Sequence, residues 1–156
     1  MWSDRAPDVI DALLLRFAAS SDLGAAVPPV QVFDGPTVID ESSPEVLMVG
    51  WSGADGEESD AESTMSPDGL ATTDREVCTV RCAISVLNGS TDMALPRARA
   101  YELLRFAGAA LAADRSLGGT VLRAMITSVA YTPRQTTRGA QVDLVFTVEC
   151  DAFTNR

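Results

Sequence analysis

The sequence predicts a single α+β domain, in which a mostly antiparallel sheet of about four to five strands has two main helices packed on one face. Three features favour this fold. Apolar residues recur at helical spacing in two segments, they alternate with polar residues in others, and turn sequences separate the segments. A chain of 156 residues is long enough to bury the core of one domain spanning residues 1–156.

The first helix is predicted at residues 8–19. Pro7 suits its first turn, and Asp8 lies near the positive end of the helix dipole. Five apolar residues recur at helical spacing, so one face should dock on the core: Val9, Ile10, Leu13, Leu14 and Phe17.

Two short strands and an acidic segment follow. The strands are predicted at residues 30–33 and in the apolar run 45–50, which we expect to be covered on both faces. Residues 51–74 lack basic residues and show no regular pattern, so they predict a long flexible loop. Such a loop is either a functional insertion or an indifferent solvated segment. Its acids are Asp55, Glu57, Glu58, Asp60, Glu62, Asp68 and Asp74.

The strongest strand signal lies at residues 76–86, followed by a second helix at about 96–113. In the helix, Glu102 lies three residues from both Arg99 and Arg105 and can pair with either. The side chains of the strand that should point to the core are those of Cys78, Val80, Cys82, Ile84 and Val86. The helix has an apolar stripe of Tyr101, Leu104, Gly108 and Leu111, widened by Leu103 and Ala107.

Two strands at residues 121–131 and 140–152 should close the chain as a hairpin, joined by a connection at 132–139. The inward residues of the last strand are Val142, Leu144, Phe146, Val148 and Cys150.

The residue types offer little for catalysis. The chain has no histidine, the commonest general base and metal ligand, and no phosphate-loop or nucleophile-elbow sequence. Cys78 and Cys82 would lie roughly 13 Å apart along a strand, too far to share a metal ion. With Cys150 they suit the core, and the acids of 51–74 do not match a calcium loop. We expect no enzyme, no metal and no cofactor.

Charge argues against a nucleic-acid partner, and hydropathy argues against a membrane span. The net charge is −10, whereas binding to a phosphate backbone depends on Lys and Arg. No apolar run reaches the roughly 18 residues that span a bilayer. The acidic N-terminus does not resemble a secretory signal, so we expect synthesis in the cytoplasm.

Charged side chains in two regions form the candidate interaction surface. The basic groupings are either solvated or pair with acidic surfaces of a neighbouring subunit, which would steer docking. The predicted acidic loop could instead become ordered on meeting a partner, at an entropic cost. The candidates are Asp55, Glu57, Glu58, Asp60, Glu62, Arg97, Arg99, Arg134 and Arg138.

Five segments, in their order and spacing, carry a family resemblance. They are Val9-Ile10-Asp11-Ala12-Leu13-Leu14, Val30-Gln31-Val32-Phe33-Asp34-Gly35-Pro36, Val46-Leu47-Met48-Val49-Gly50, Arg97-Ala98-Arg99-Ala100-Tyr101-Glu102-Leu103-Leu104 with Leu117-Gly118-Gly119, and Gly139 with Val142-Asp143-Leu144-Val145-Phe146-Thr147-Val148-Glu149-Cys150. Together they resemble the tail terminator (tail completion) proteins of long-tailed, siphovirus-type bacteriophages, especially those of actinobacterial hosts. The acidic segment after Trp51 is the least family-like part.

The resemblance implies a virion protein of the tail and neck that assembles in the host cytoplasm. It implies a ring, usually of six subunits, which caps the tail tube protein, stops tube polymerisation and offers a docking surface to the head–tail connector. DNA would pass through the lumen without specific binding. No catalytic residue is implied.

Two other functions remain open. Another neck or minor virion protein, such as a head–tail connector or stopper, is the nearest. An acidic cytoplasmic binding or inhibitor module belongs to a different class, and deletion of residues 55–68 would abolish its binding.

Overall fold

The structure, a computed structural model, describes residues 4–25, 29–53, 58–67 and 73–155. In this part of the chain a mixed sheet of six strands is accompanied by three helices. The elements are α1 (Ala6–Ala18), α2 (Ser21–Gly24), β1 (Gln31–Asp34), β2 (Glu45–Val49), β3 (Ala61–Pro67), β4 (Thr73–Asn88), α3 (Ala94–Ala113), β5 (Arg123–Thr136) and β6 (Gly139–Asn155).

The strand order is β1-β2-β4-β6-β5. β3 also pairs with β4, on the edge where β2 pairs, so β2 and β3 follow each other along one side of β4. The pairing of β1 with β2 is parallel and the other four pairings are antiparallel. The α+β class is confirmed, but the sheet is mixed and has six strands rather than four to five.

The main core lies between the sheet and helices α1 and α3, which pack on the same face. We call this the helix face. Alternate residues of β4 and β6 point into it, as predicted, and they are fully or almost fully buried: Cys78, Val80, Cys82, Ile84 and Val86 on β4, and Val142, Leu144, Phe146, Val148 and Cys150 on β6. The helix face therefore takes its apolar side chains from strict alternation.

The opposite face of the sheet, which we call the open face, is covered at one end only. The connection from β1 to β2 places Ile39 against it, and Trp51 lies beside the same cluster. These residues bury the far sides of β2 and β4: Val46, Met48 and Ala83. β2 is therefore covered on both faces, which confirms the prediction for the apolar run 45–50.

A buried carboxylate fixes the start of α1. Glu76 of β4 is fully buried and accepts hydrogen bonds from the backbone N–H of Arg5, at 3.1 and 3.3 Å, and from the hydroxyl of Thr154. Asp4 adds a second tie, because its Oδ1 accepts from the hydroxyl of Ser63 on β3 at 3.1 Å. The N-terminus of α1 is thereby joined to β3, β4 and β6.

The prediction of a flexible loop at 51–74 is wrong for the second half of that segment. Ala61–Pro67 forms β3, and β4 begins at Thr73 rather than at residue 76. β3 has almost no apolar pattern because it is an edge strand whose outward residues are polar, so only its backbone pairing with β4 reveals it.

The closing hairpin also differs. β5 continues to Thr136 through most of the predicted connection 132–139, which leaves only a tight turn before β6. The connection contains Pro133, which lacks a backbone donor, but an edge strand tolerates proline where the missing N–H would face away from its neighbour. Helix α2 was not predicted, since four residues are too few for a periodic signal.

Candidate interaction edges

The sheet has two free edges among the described residues, and they lie on opposite sides. β5 forms one of them along its 14 residues. β1 and β3 form the other, because each is paired on one side only. An unpaired edge presents backbone N–H and C=O groups that can pair with another chain.

The β5 edge carries an exposed apolar strip on the helix face. Val129 is 42% exposed, Tyr131 is 36% exposed and Tyr101 of α3 is 38% exposed. The rings of Tyr101 and Tyr131 stack with their centroids 6.2 Å apart. We call Tyr101, Val129 and Tyr131 the β5 strip.

The predicted stripe of α3 is therefore only partly the core contact. Leu103, Ala107 and Leu111 are buried as expected, whereas Tyr101 is exposed and Leu104 and Gly108 are half-buried. The side of α3 that carries Tyr101, Leu104 and Gly108 lies towards β5 at the sheet edge, where less of the sheet remains to cover it.

The two edges carry opposite charge. Between Phe17 and Asp74, the segment that contains β1, β2 and β3, the sequence has no basic residue and twelve of the 22 acids. Residues 94–138, which include α3 and β5, contain seven of the twelve basic residues and only two acids, Glu102 and Asp114. The edge strands themselves differ in sign: β5 carries Arg123 and Arg134 and no acid, whereas β1 and β3 carry Asp34 and Glu62 and no basic residue. The sheet therefore has an acidic edge and a basic edge.

Three predicted acids lie at the acidic edge. Glu58 forms an ion pair with Arg81 of β4 at 2.7 Å. Oδ1 of Asp60 accepts from the backbone N–H of Ser52 at 2.8 Å and from its hydroxyl at 2.7 Å. Glu62, on β3, is exposed, and the one hydrogen bond of its side chain among the described residues is a 3.4 Å contact with a serine hydroxyl. Asp55 and Glu57 lie outside the described residues.

The predicted arginines are not equivalent. Arg99 pairs with Glu45 of β2 at 2.7 Å and also with Glu102, as the spacing predicted. Partial burial opposes the charge, but these hydrogen bonds outweigh it and raise the pKa of Arg99. Arg97 is exposed, and no side-chain partner is found for it in the described ranges. Arg99 is thus a structural residue, whereas Arg97 is available to a partner.

Arg134 and Arg138 lie at the far end of the hairpin. Arg134 pairs with Asp143 of β6, which also accepts from Ser85 at 2.6 Å. Arg138 reaches the carbonyl of Ile39 at 3.5 Å. The structure therefore does not gather the predicted candidates into one surface. It divides them between two edges and ties Glu58, Asp60, Arg99 and Arg134 into the fold.

Sequence reasoning missed the β5 strip. The signal available was the alternation of Val129 and Tyr131 with small or polar residues, which continues the pattern of a strand beyond its last buried position. Alternation shows that a strand exists, but it does not show that the strand has a neighbour on one side only.

The three cysteines are buried and free, as the core assignment predicted. Burial raises the pKa of Cys82 and of Cys150 to about 12 and that of Cys78 to about 11. These thiols are therefore poor nucleophiles. Within the described ranges no three His, Cys, Asp or Glu side chains are arranged to hold a metal ion, and no helix is long and apolar enough to cross a membrane.

Together, the fold and the edges define a class: a small α+β protein with two unlike sheet edges of opposite charge. Comparisons with known proteins do not name it more closely. No protein-family model matches, and neither does any curated protein. One solved structure that resembles the chain, described as "Virion of native gene transfer agent (GTA) particle", is 16% identical, with 96% of this chain and 100% of that chain aligned and a TM-score of 0.42. At that TM-score the likeness carries no argument about function.

Proposed function

We propose that this chain is a phage tail terminator, a virion subunit that forms a ring on the finished tail tube, stops its polymerisation and offers a surface to the head–tail connector. The family resemblance of the five segments suggests the role. The observation that carries it is the pair of unlike edges on one rigid sheet. A closed ring larger than a dimer needs two different patches that meet head to tail, and this subunit has such a pair.

The charge of the chain suits the passage of DNA. A ring of subunits that each carry −10 repels a phosphate backbone, so DNA would slide through the lumen without specific binding. The proposed partners are further copies of the chain, usually six in a ring, the tail tube protein and the connector. The proposed role is structural and needs neither catalysis nor a cofactor. Assembly would take place in the host cytoplasm and the product would belong to the virion.

Electron microscopy of tube assembly tests the proposal. Purified tail tube protein from the same phage is polymerised with and without this chain. We expect rings at tube ends and tubes that stop growing once the chain is added. Tubes of unchanged length with bare ends would contradict the proposal. Binding to the isolated connector alone would instead favour the rival assignment to another neck protein.

A further inference from the structure

We infer that the β5 edge of one copy pairs antiparallel with the β3 edge of the next copy, so that the sheets join from subunit to subunit. This inference deepens the proposed function and rests on it for the need to form a ring, but its structural argument is separate. The partner is a second copy of this chain, because the acidic edge and the basic edge complement each other.

Strand direction favours this pairing. β5 and β4 are each antiparallel to β6, so they run in the same direction, and β3 runs opposite to β4. When a second copy continues the sheet with its helices on the same side, its β3 meets β5 as an antiparallel neighbour. Antiparallel pairing is the slightly more stable arrangement for each residue.

The helix faces of the two strands match. On β5, Val129 and Tyr131 lie opposite Phe146 and Leu144 and therefore point to the helix face. On β3 the half-buried residues Ala61, Ser63 and Met65 point to the same face, opposite Val80, Cys78 and Glu76. Joining the edges would cover the exposed β5 strip with Ala61 and Met65.

The open faces match by charge. Arg123 and Arg134 of β5 lie opposite Asp151 and Gln141 and point to the open face, and both are exposed. Glu62 of β3 points to that face as well, opposite Thr79. Placing Ala61 and Met65 over the β5 strip puts Glu62 near residues 130–132 of β5, with Arg134 the nearer of the two arginines. A surface contact of this kind contributes mainly to the rate and direction of docking.

Pro133 sets the extent of the contact. It cannot donate a backbone hydrogen bond, so pairing along β5 is confined to the residues before it. That part of the strand, residues 123–132, is longer than the seven residues of β3. The free length of β5 is therefore sufficient for the whole of β3. Because β1 lies one strand further out than β3, the pairing requires the end of the β5–β6 hairpin beyond Pro133 to turn out of the sheet.

A charge swap tests the contact. Ala130→Glu places an acid on the open face of β5 at an exposed position, and Glu62→Arg reverses the charge of β3. Analytical ultracentrifugation of the whole chain up to about 1 mM measures self-association. We expect each variant alone to associate at least about tenfold more weakly than the original chain, because like charges meet. A mixture of the two variants should regain association, since opposite charges then meet at one contact and the other is unaltered.

Leu15→Glu is the matched control. It adds the same charge at a position that is 73% exposed on α1, outside both β3 and β5, and should leave association unchanged. Hydrogen exchange gives an independent measurement: amides of residues 129–132 and of residues 62–64 should become protected together as the protein concentration rises. Protection that appears without association, or on one strand alone, would contradict the pairing.

The outcomes separate this inference from the proposed function. A chain that stays monomeric up to about 1 mM, or a mixture that does not recover, overturns the pairing. If Ala130→Glu abolishes capping of tail tubes while the chain is monomeric, the β5 edge belongs to the tube protein. Self-association with the expected swap behaviour, but without capping, supports the pairing and contradicts the terminator role.

Discussion

β4 and β5 flank the same strand, β6, and have similar lengths of 16 and 14 residues, yet their surroundings are opposite. β4 is paired on both sides, and its helix-face residues are completely enclosed. β5 is paired on one side, and from residue 127 to residue 135 every side chain is exposed. The difference comes from neighbours rather than from propensity, because Val129 and Tyr131 are as typical of strands as the residues of β4. β4 is the structural centre of the sheet, and β5 is a surface.

Thiol reactivity should give the largest contrast between the two strands. Ser128→Cys places a thiol on exposed β5, where Ellman's reagent should react at once. The native thiols at 78, 82 and 150 should react at least about 1000-fold more slowly, because reaction requires the core to open. The release of thionitrobenzoate measures both rates. Fast reaction of a native thiol in the folded protein would show that the β4–β6 core is open to solvent.

The same thiols predict a dependence of stability on pH. Burial raises the pKa of Cys82 to about 12 in the folded chain, from an ordinary value of 9.0 in the unfolded chain. Above pH 9 the unfolded chain loses protons that the folded chain keeps, so stability should fall as the pH rises from 9 towards 12. Urea unfolding at pH 8, 9 and 10 measures this fall, and it should be shallower in Cys82→Ala.

Truncating a core side chain of β4 should lower the free energy of unfolding more than truncating an edge side chain of β5. Ile84→Ala on β4 removes a fully buried side chain and should cost about 2 to 5 kcal/mol of unfolding free energy. Val129→Ala on β5 should change it by about 0.5 kcal/mol or less. Urea titration of the two variants measures both. Equal losses would mean that the β5 strip is enclosed in the isolated chain.

Loss of the buried carboxylate on β4 should have an intermediate effect. Glu76→Ala leaves the N–H of Arg5 and the hydroxyl of Thr154 without their acceptor, which should cost about 1 to 3 kcal/mol. Glu76→Gln keeps the shape and an acceptor oxygen, so it should cost less. A double-mutant cycle with Thr154→Val isolates the contact. Additive losses would show that the two side chains do not interact.

Replacing an arginine should show the smallest difference in stability loss between β4 and β5. Arg81 of β4 is largely buried and pairs with Glu58 at 2.7 Å, so Arg81→Ala should cost about 1 kcal/mol. Arg123 of β5 is more exposed, and its 3.3 Å contact with Asp151 should contribute about 0.5 kcal/mol or less. Thermal unfolding of both variants in low and high salt distinguishes them. A larger loss for Arg123→Ala would contradict the assignment of β5 as a surface.

The sequence predicted the parts of the fold that depend on local periodicity. Both main helices, the buried run at 45–49 and the inward residues of β4 and β6 follow from apolar spacing, and the structure confirms them. β3 could not be predicted in this way, because Glu62, Thr64 and Ser66 face solvent and its stability comes from pairing with β4. Long-range pairing leaves little trace in a single sequence.

The candidate interaction surface was predicted less well for a related reason. Charge identified exposed residues, but it could not distinguish Arg99, which is held by Glu45, from Arg97, which has an exposed side chain. Nor could it show that acidic and basic segments form opposite sides of one sheet. That separation depends on the strand order, which places β5 at the far edge from β1 and β3.

β2 ends and β3 begins beside the same residue of β4, Arg81, so the connection between them leaves the sheet and returns to it at one point. The carbonyl of Arg81 accepts the N–H groups of Gly50 and Trp51, and the N–H of Arg81 donates to the carbonyl of Asp60, so one residue holds both the exit and the return of the chain. Because both ends of this connection are hydrogen-bonded to Arg81, lengthening the connection adds an entropy cost that grows only with the logarithm of its length. Foreign peptides or epitope tags grafted there should be accommodated without disturbing either strand.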